Sequence, residues 1–411
     1  MKTFNVTHAD IVDFGNLLEA DRNASQCKHY RDENLKFAAH REEGIIDLLN
    51  QLTYFPKDGE PGAELESSYH VGRYRRKQIY EPKPRIIMAL EYRDRVVQWA
   101  YYQKLNPLFD RQYITHSYGC REGKGTVKAR SQLQTWIRNA NRSEKSWYVL
   151  KLDIAKYFYR IDHEILMKIL SKHISDELIL RDLYKLINCE DTAFGLPAGV
   201  QPELCKQEDW LYNRGMPIGN LTSQMFANVY LNELDQFCKH VLHIRYYIRY
   251  MDDIIILWPD KKELRQIQSE IEIFLNEQLH LELNNKTCIR PVWLPVTFVG
   301  AQITATTIRM RKSTRKRMFR RIKFIKHLFE NPCHSKHLQQ DEKFTKLIRS
   351  ISNCCMGVWL THYLAIQVLG YFTGLSPANY IWRFACPFLV FSVCLIGTFI
   401  AKKLPLLKHI V

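Results

Sequence analysis

Two adjacent carboxylates, Asp252 and Asp253, stand between two apolar runs in the stretch IRYMDDIIIL, residues 248–257. Strand interiors exclude Asp, because a buried charge is costly unless it is paired or holds a cation. One reading is a hairpin turn: Asp is a common turn former, with Ile-Arg-Tyr and Ile-Ile-Ile-Leu as flanking strands. The other is a pair placed for chemistry. The doublet alone does not choose between them, but any fold for this chain must accommodate it.

A chain of 411 residues suggests two or three domains, and an apolar content of 46% is enough for a core. The net charge of +16 favours a polyanionic partner, nucleic acid or an acidic membrane surface, over a merely soluble basic protein. Eleven cysteines without a CxxC pair fit reduced thiols and exclude a secreted disulfide scaffold. Cys333, His334 and His337 lack the second ligand pair of a zinc finger. The N-terminal stretch carries Asp10 and Asp13 and does not read as a secretory signal.

Apolar spacing predicts an amphipathic helix over 31–52, a loop over 55–64 and a basic hairpin ending in an apolar strand over 69–90. A helix over 93–109 is expected to stop before Pro107. Residues 147–158 read as a strand running into a turn or short helix, and 186–214 as loop. Helices over 223–242 and 261–279 and a strand over 297–304 follow. The alternation implies an α+β domain with one helix-covered sheet. From Arg309 to Lys326 the chain is basic with no acid, and Met310, Met318, Phe319, Ile322, Phe324 and Ile325 give it an inner face. A solvated helix face is the bland reading; contact with phosphates is the stronger one. Residues 356–381 carry no Lys, Arg, Asp or Glu, and 384–401 add 18 uncharged residues before Lys402 and Lys403. Each stretch is about long enough to cross a bilayer, so a two-span hairpin with both ends cytoplasmic is expected over 356–403.

Asp153, in LKLDIAKYF, lies on a second strand-like segment. Carboxylates converging from neighbouring strands repel unless cations sit between them. Oxygen-only ligands suit Mg²⁺, and two such ions about 4 Å apart stabilise an in-line phosphoryl transfer. The residues alone therefore point to nucleotidyl transfer.

The motifs EPKPRIIMALEYRDRVVQWA, SYGCREGKGT, LKLDIAKYF, GMPIGNLTSQMFANVYLNELD, RYMDD, LELNNKTCI and FVGAQI occur in one order. In that order the chain resembles the reverse transcriptases, right-hand-shaped RNA-directed DNA polymerases, over roughly residues 30–325. The likeness is to bacterial enzymes (group II intron-like, diversity-generating and phage-defence), not retroviral ones. It implies an α+β right-hand fold, with fingers and a palm of antiparallel sheet covered by helices; past the basic segment the residues depart from the family's helical thumb and read as a short or truncated thumb followed by C-terminal hydrophobic helices. The expected divisions are an N-terminal helical extension over 1–60, fingers and palm over 61–305, a basic thumb-like segment over 306–350 and the membrane hairpin over 356–403. The tail resembles the last membrane segments of integral-membrane acyltransferases and implies a junction near 340–355.

The resemblance implies roles residue by residue. Asp153, Asp252 and Asp253 match the metal-binding carboxylates, with the carbonyl of Ile154 completing one ion's shell; two Mg²⁺ ions are implied, Mn²⁺ being the substitute. Phe158 matches an aromatic gate that rejects a 2′-hydroxyl, a core aromatic being the bland reading. Lys83 and Arg85 match residues that hold the incoming triphosphate. Lys286 matches a lysine that protonates the leaving pyrophosphate, although Asn284, Asn285 and Lys286 also make an ordinary turn. Phe298, Val299 and Gly300 match the primer grip. In PIGNLTSQ, Ile218 and Gln224 stand where many members carry Gln and Pro. That form resembles the diversity-generating enzymes, which copy inaccurately at adenines. Gly219 allows close backbone approach to the nucleotide. Arg311, Lys312, Arg315, Arg317, Arg320 and Arg321 are the expected nucleic-acid contacts.

The expected activity is RNA-directed DNA synthesis, with an RNA template, a DNA or RNA primer and dNTPs as partners. The expected location is the bacterial cytoplasm, anchored at the inner face of the membrane. The sequence names no accessory protein. An RNA-directed RNA polymerase is the rival within the class. A catalytically impaired, membrane-tethered nucleic-acid-binding protein of a defence or retroelement system is the rival outside it.

Overall fold

The structure, a computed structural model, describes residues 3–57, 63–80, 85–197, 199–202 and 204–330. One unit runs through Arg311 and a second begins at Lys312. In chain order the first holds helices α1 (His8–Ile11), α2 (Phe14–Ser25), α3 (Asp32–Ala39) and α4 (Arg41–Leu52), then short strands β1 (Phe55–Pro56) and β2 (Leu65–Glu66). Strands β3 (Arg75–Ile79) and β4 (Arg85–Ala89) form the basic hairpin. Helices α5 (Tyr92–Asp110) and α6 (Thr126–Asn141) lead into β5 (Tyr148–Asp153). Helices α7 (His163–Ser171), α8 (Glu177–Ile187) and α9 (Leu221–Gln236) precede β6 (Tyr246–Tyr250) and β7 (Asp253–Trp258). Helix α10 (Lys261–Leu279) and strands β8 (Cys288–Pro291), β9 (Val296–Phe298), β10 (Ala301–Ile303) and β11 (Ile308–Met310) complete the unit.

The central sheet has the order β6-β7-β5-β8, antiparallel throughout. Its strands read as nearly unbroken apolar runs because both faces are covered. Successive side chains point to opposite faces. Leu150, Leu152, Ile154, Ile254 and Ile256 join the core shared with α5, α7, α9 and α10. Val149, Ile255 and Leu257 pack instead with Leu133, Trp136 and Ile137 of α6 and with Phe298 and Ile303 of the β9–β10 hairpin. Ile254, Ile255, Ile256 and Leu257 are all fully buried, each contributing roughly 1.5–3 kcal/mol.

Three expectations change. The helix over 31–52 is broken at His40 (φ −128°, ψ 43°). The break lets Phe37 fold back over α4, where a Cβ at Gly44 would stand 2.9 Å from its ring. Helix α5 does not stop before Pro107 but runs on to Asp110. Pro107 removes one N–H near the end, and the buried Leu105 and Phe109 on either side hold the last turn to the core. The strand over 297–304 is instead two strands, because Val299 and Gly300 turn the chain back on itself.

In the second unit, α11 (Lys312–Glu330) is the basic helix, with exposed cations and exposed Met318, Phe319, Ile322, Phe324 and Ile325. Among the described residues no helix is long and apolar enough to cross a membrane. The expected membrane hairpin over 356–403, the thumb-like residues past 330, and Cys333, His334 and His337 lie outside the described residues.

Candidate active site

Strands β6 and β7 are joined by a two-residue loop, Met251–Asp252, closed by the Tyr250–Asp253 pair. The doublet therefore makes a turn and also faces a third acid: Asp253 opens β7 and pairs in register with Asp153, the last residue of β5. Lys151, two residues before Asp153, shares their face of the sheet. Its Nζ lies 2.9 Å from Asp253 Oδ1 and donates to the Thr297 carbonyl of β9, also at 2.9 Å. The Val299 N–H donates to the other oxygen of Asp253 at 3.4 Å.

Burial pushes the Asp252 carboxyl up to about 6; Asp153 and Asp253 add to the rise, while its own backbone amide and Arg85 oppose it. Burial also raises Asp253, against the pull of Lys151 and the Val299 amide. Such mutually repelling oxygens fit a hard divalent cation. Among the described residues no three His, Cys, Asp or Glu groups are already drawn into a ligand shell, and Lys151 supplies the positive charge beside Asp253. The backbone at Ile154 is fixed by a bridge to Leu283, flanked by Asn284 N–H to Asp153 carbonyl at 2.7 Å and Ala155 N–H to Glu282 carbonyl at 2.9 Å. Lys286 is exposed on the next turn, which Thr287 N–H closes onto the Asn284 carbonyl at 2.9 Å.

Beneath the doublet lies a network that the sequence reading missed. Met251 takes the left-handed conformation, φ 54°, which costs an L-residue roughly 1–2 kcal/mol. Arg249 and Asp235 form a fully buried ion pair, Nε to Oδ1 at 2.8 Å and Nη2 to Oδ2 at 2.6 Å. Burial works against the Arg249 charge, but Asp235 raises its pKa above the usual arginine value. Tyr247 Oη donates to Asp235 at 2.7 Å, and Arg249 Nη1 reaches Asn228 Oδ1 at 3.0 Å and the Met251 carbonyl at 3.4 Å. Asn228 in turn donates to the Gly119 carbonyl at 2.9 Å. A Cβ at Gly119 would stand 2.7 Å from the Met251 nitrogen. A lone Arg inside an apolar strand and an Asp on an apolar helix were the available signals, since each demands a partner.

Of the residues expected to meet the nucleotide, Lys83 lies outside the described residues. Arg85 opens β4 and is exposed, and its charge acts on Asp252. The Met88 N–H of β4 donates to the Ile218 carbonyl at 3.0 Å. Gly219, at φ 129°, follows; a Cβ there would stand 2.9 Å from the Met88 carbonyl oxygen. Phe158 is half-buried in a 3-10 turn, Tyr157–Tyr159, and its carbonyl accepts from Met216 N–H at 2.7 Å. The 216–219 loop is thus tied to β4 on one side and to the Phe158 turn on the other. Gln224 is exposed on the first turn of α9. In the FVG segment the Phe298 ring is core, so the surface it offers is the Val299–Gly300 backbone, with φ 44° and 76°. Arg130 of α6 donates to the Val299 carbonyl through Nε at 3.1 Å. Arg311 ends the first unit, while Lys312, Arg315, Arg317, Arg320 and Arg321 lie on α11 in the second.

Residues 76–303, from the basic hairpin to the end of β10, match the family described as reverse transcriptase (RNA-dependent DNA polymerase). The chain belongs to this reverse transcriptase family. Among relatives, Protein YkfC of Escherichia coli (strain K12) is 26% identical over 270 residues, covering 55% of this chain and 66% of that protein. The group II intron-encoded protein LtrA of Lactococcus lactis subsp. cremoris is 22% identical over 333 residues, 65% of this chain and 50% of LtrA. This reverse transcriptase thus spans about two thirds and one half of the lengths of these relatives. A solved structure of apo telomerase from Candida tropicalis aligns with TM-score 0.44 and 13% identity over 82% of this chain and 63% of that one.

Proposed function

We propose that this chain is an RNA-directed DNA polymerase. The observation that carries the reading is the register of Asp153 against Asp253, with Asp252 in the adjoining turn and the Val299 turn bonded to the same carboxylate. Asp153 and Asp252, with Asp253 beside them and the Ile154 carbonyl, would hold two divalent ions, Mg²⁺ or its substitute Mn²⁺. Bound there, the ions supply positive charge to the attacking and leaving oxygens. The Val299–Gly300 backbone positions the primer, whose 3′-oxygen forms the new bond to the α-phosphorus as the bond to pyrophosphate breaks. The 3′-hydroxyl proton leaves to solvent, and Lys286 gives one to the pyrophosphate. Arg85, with Lys83, receives the triphosphate. Phe158 lies under the sugar and rejects a 2′-hydroxyl. Ile218 offers no side-chain hydrogen bond where base-pair geometry is judged, so copying is error-prone at template adenines. Template RNA and growing DNA are held largely through phosphates, the α11 cations among the contacts, so binding falls with salt.

Primer extension on an RNA template with Mg²⁺ tests the reading, with dNTPs and rNTPs supplied separately and Asp252→Asn as control. The wild-type chain should incorporate dNTPs and the variant should not. Absence of dNTP incorporation sinks the polymerase reading in favour of a nucleic-acid-binding protein without turnover. Preference for rNTPs removes the role of Phe158, and accurate copying opposite adenines removes that of Ile218.

A further inference from the structure

We propose that Lys151 is a positioning residue that clasps the β9–β10 hairpin to the catalytic sheet through Asp253. The inference rests on the reading of Asp153, Asp252 and Asp253 as a polymerase centre, and assigns one of the three acids a second task. Val149, Lys151 and Asp153 alternate onto one face of β5, as Asp253, Ile255 and Leu257 do on β7. Phe298 and Ile303 of the hairpin cover the apolar members of that face. At its open end the packing becomes polar. Lys151 bridges Asp253 Oδ1 and the Thr297 carbonyl, both at 2.9 Å, and the Val299 N–H approaches Oδ2 at 3.4 Å.

Oδ2 of Asp253 therefore accepts from the hairpin, while buried Oδ1 meets the lysine as an ion pair and takes no hydrogen bond among the described residues. The Val299 turn needs such fastening. A β-branched residue at φ 44° is strained, and contacts from outside the short hairpin hold it there. Arg130 holds its carbonyl from the α6 side, so the turn is gripped at N–H by the sheet and at C=O by the helix. Lys151 also offsets charge beside Asp153, keeping Asp253 oriented without a metal. On this account Asp153 and Asp252 carry most of the ion binding, while the Lys151–Asp253 pair sets where the primer's last nucleotide rests.

The test measures binding without turnover, on the full-length chain. Mn²⁺ binding is followed by electron paramagnetic resonance. Primer placement is followed with a recessed primer–RNA template carrying 2-aminopurine at the primer's 3′ end. Lys151→Met should weaken primer–template binding about fivefold, the scale of one lost partly buried ion pair, and free the terminal base. Its Mn²⁺ affinity should match wild type or exceed it, and Lys151→Arg should restore the primer signal. Asp253→Asn, which keeps an acceptor for Val299 but loses the ion pair, should repeat the loss of primer placement seen in Lys151→Met and serves for that readout if Lys151→Met does not fold; with one carboxylate fewer, its Mn²⁺ affinity should not rise. Asp252→Asn should do the reverse, losing Mn²⁺ while holding the primer. Wild-type primer placement in both Lys151→Met and Asp253→Asn, or loss of Mn²⁺ in Lys151→Met to the extent seen in Asp252→Asn, overturns the clasp. Either result leaves the polymerase reading to stand or fall on wild-type dNTP incorporation.

Discussion

Replacing Arg249 with Met should be among the most destabilising single changes in the sheet domain. The side chain is fully buried and makes three contacts of 2.6–2.9 Å to Asp235, besides those to Asn228 and the Met251 carbonyl. Without it Asp235 keeps, among the described residues, only the hydrogen bond from the Tyr247 hydroxyl, at 2.7 Å. Stranding one partner of a buried pair costs about 3–5 kcal/mol, a large part of the roughly 5–15 kcal/mol that holds a domain folded. Replacing both, Asp235→Leu with Arg249→Met, removes the stranded charge and should return stability to within about 2 kcal/mol of wild type. Incorporation of dNTPs should not return with it, because the Met251 carbonyl and Asn228 still lack their donor and the Asp252 turn loses its support. Urea melts of the four proteins close the double-mutant cycle, and primer extension follows activity. A cost below about 1 kcal/mol for Arg249→Met, or full activity in the double variant, would refute the reasoning.

Asp252 predicts a pH effect. Its folded value of about 6 lies above the ~3.9 of an unfolded chain. Its contribution to stability is therefore complete below pH ~4 and is lost as pH rises through 6, on the order of 3 kcal/mol in all. Without metal, Asp252→Asn should melt higher than wild type at pH ~7.5 and converge with it near pH 4. Divalent ions should raise the wild-type melting temperature more than that of the variant; equal curves throughout would disprove the coupling. Gly119→Ala places a Cβ 2.7 Å from the Met251 nitrogen, so the turn must move and incorporation should fall about tenfold or more with the fold retained; single-turnover rates beside a melting curve decide it. Gly219→Ala meets both a φ of 129° and the Met88 carbonyl oxygen at 2.9 Å. Roughly 1–3 kcal/mol of strain should appear as a raised KM for dNTPs with Mn²⁺ binding intact, and an unchanged KM counts against the loop's role.

The placement of the three acids at adjoining strand ends was legible in the sequence because its signals are local: an apolar run, a turn-forming doublet, and motifs in family order. The residues that support them were less so. Asp235 and Arg249 lie 14 apart on a helix and a strand, and only the packing of α9 on β6 brings them together. Gly119 reads as one glycine of a loop until Met251 is found against it. Lys151 reads as a single polar interruption in an apolar strand, and its partner Thr297 is 146 residues away. The break at His40 and the continuation through Pro107 failed for the same reason: propensity is a local preference, whereas Phe37, Leu105 and Phe109 are placed by tertiary burial.

The antiparallel sheet also gives the domain two unlike ends, one that carries the acids and one that does not. Strand β5 leaves the acids behind as it is traced back to Tyr148, five residue steps or about 17 Å away. The exposed 142–146 segment that enters it sits at that far end. A tag, fluorophore or chain break placed there would leave the spacing of the carboxylates untouched. One extra residue at Leu283 or Asn284 would not, because those residues are stitched directly to the backbone of Asp153 and Ile154. The same topology that gathers the acids marks where the chain can be cut or extended.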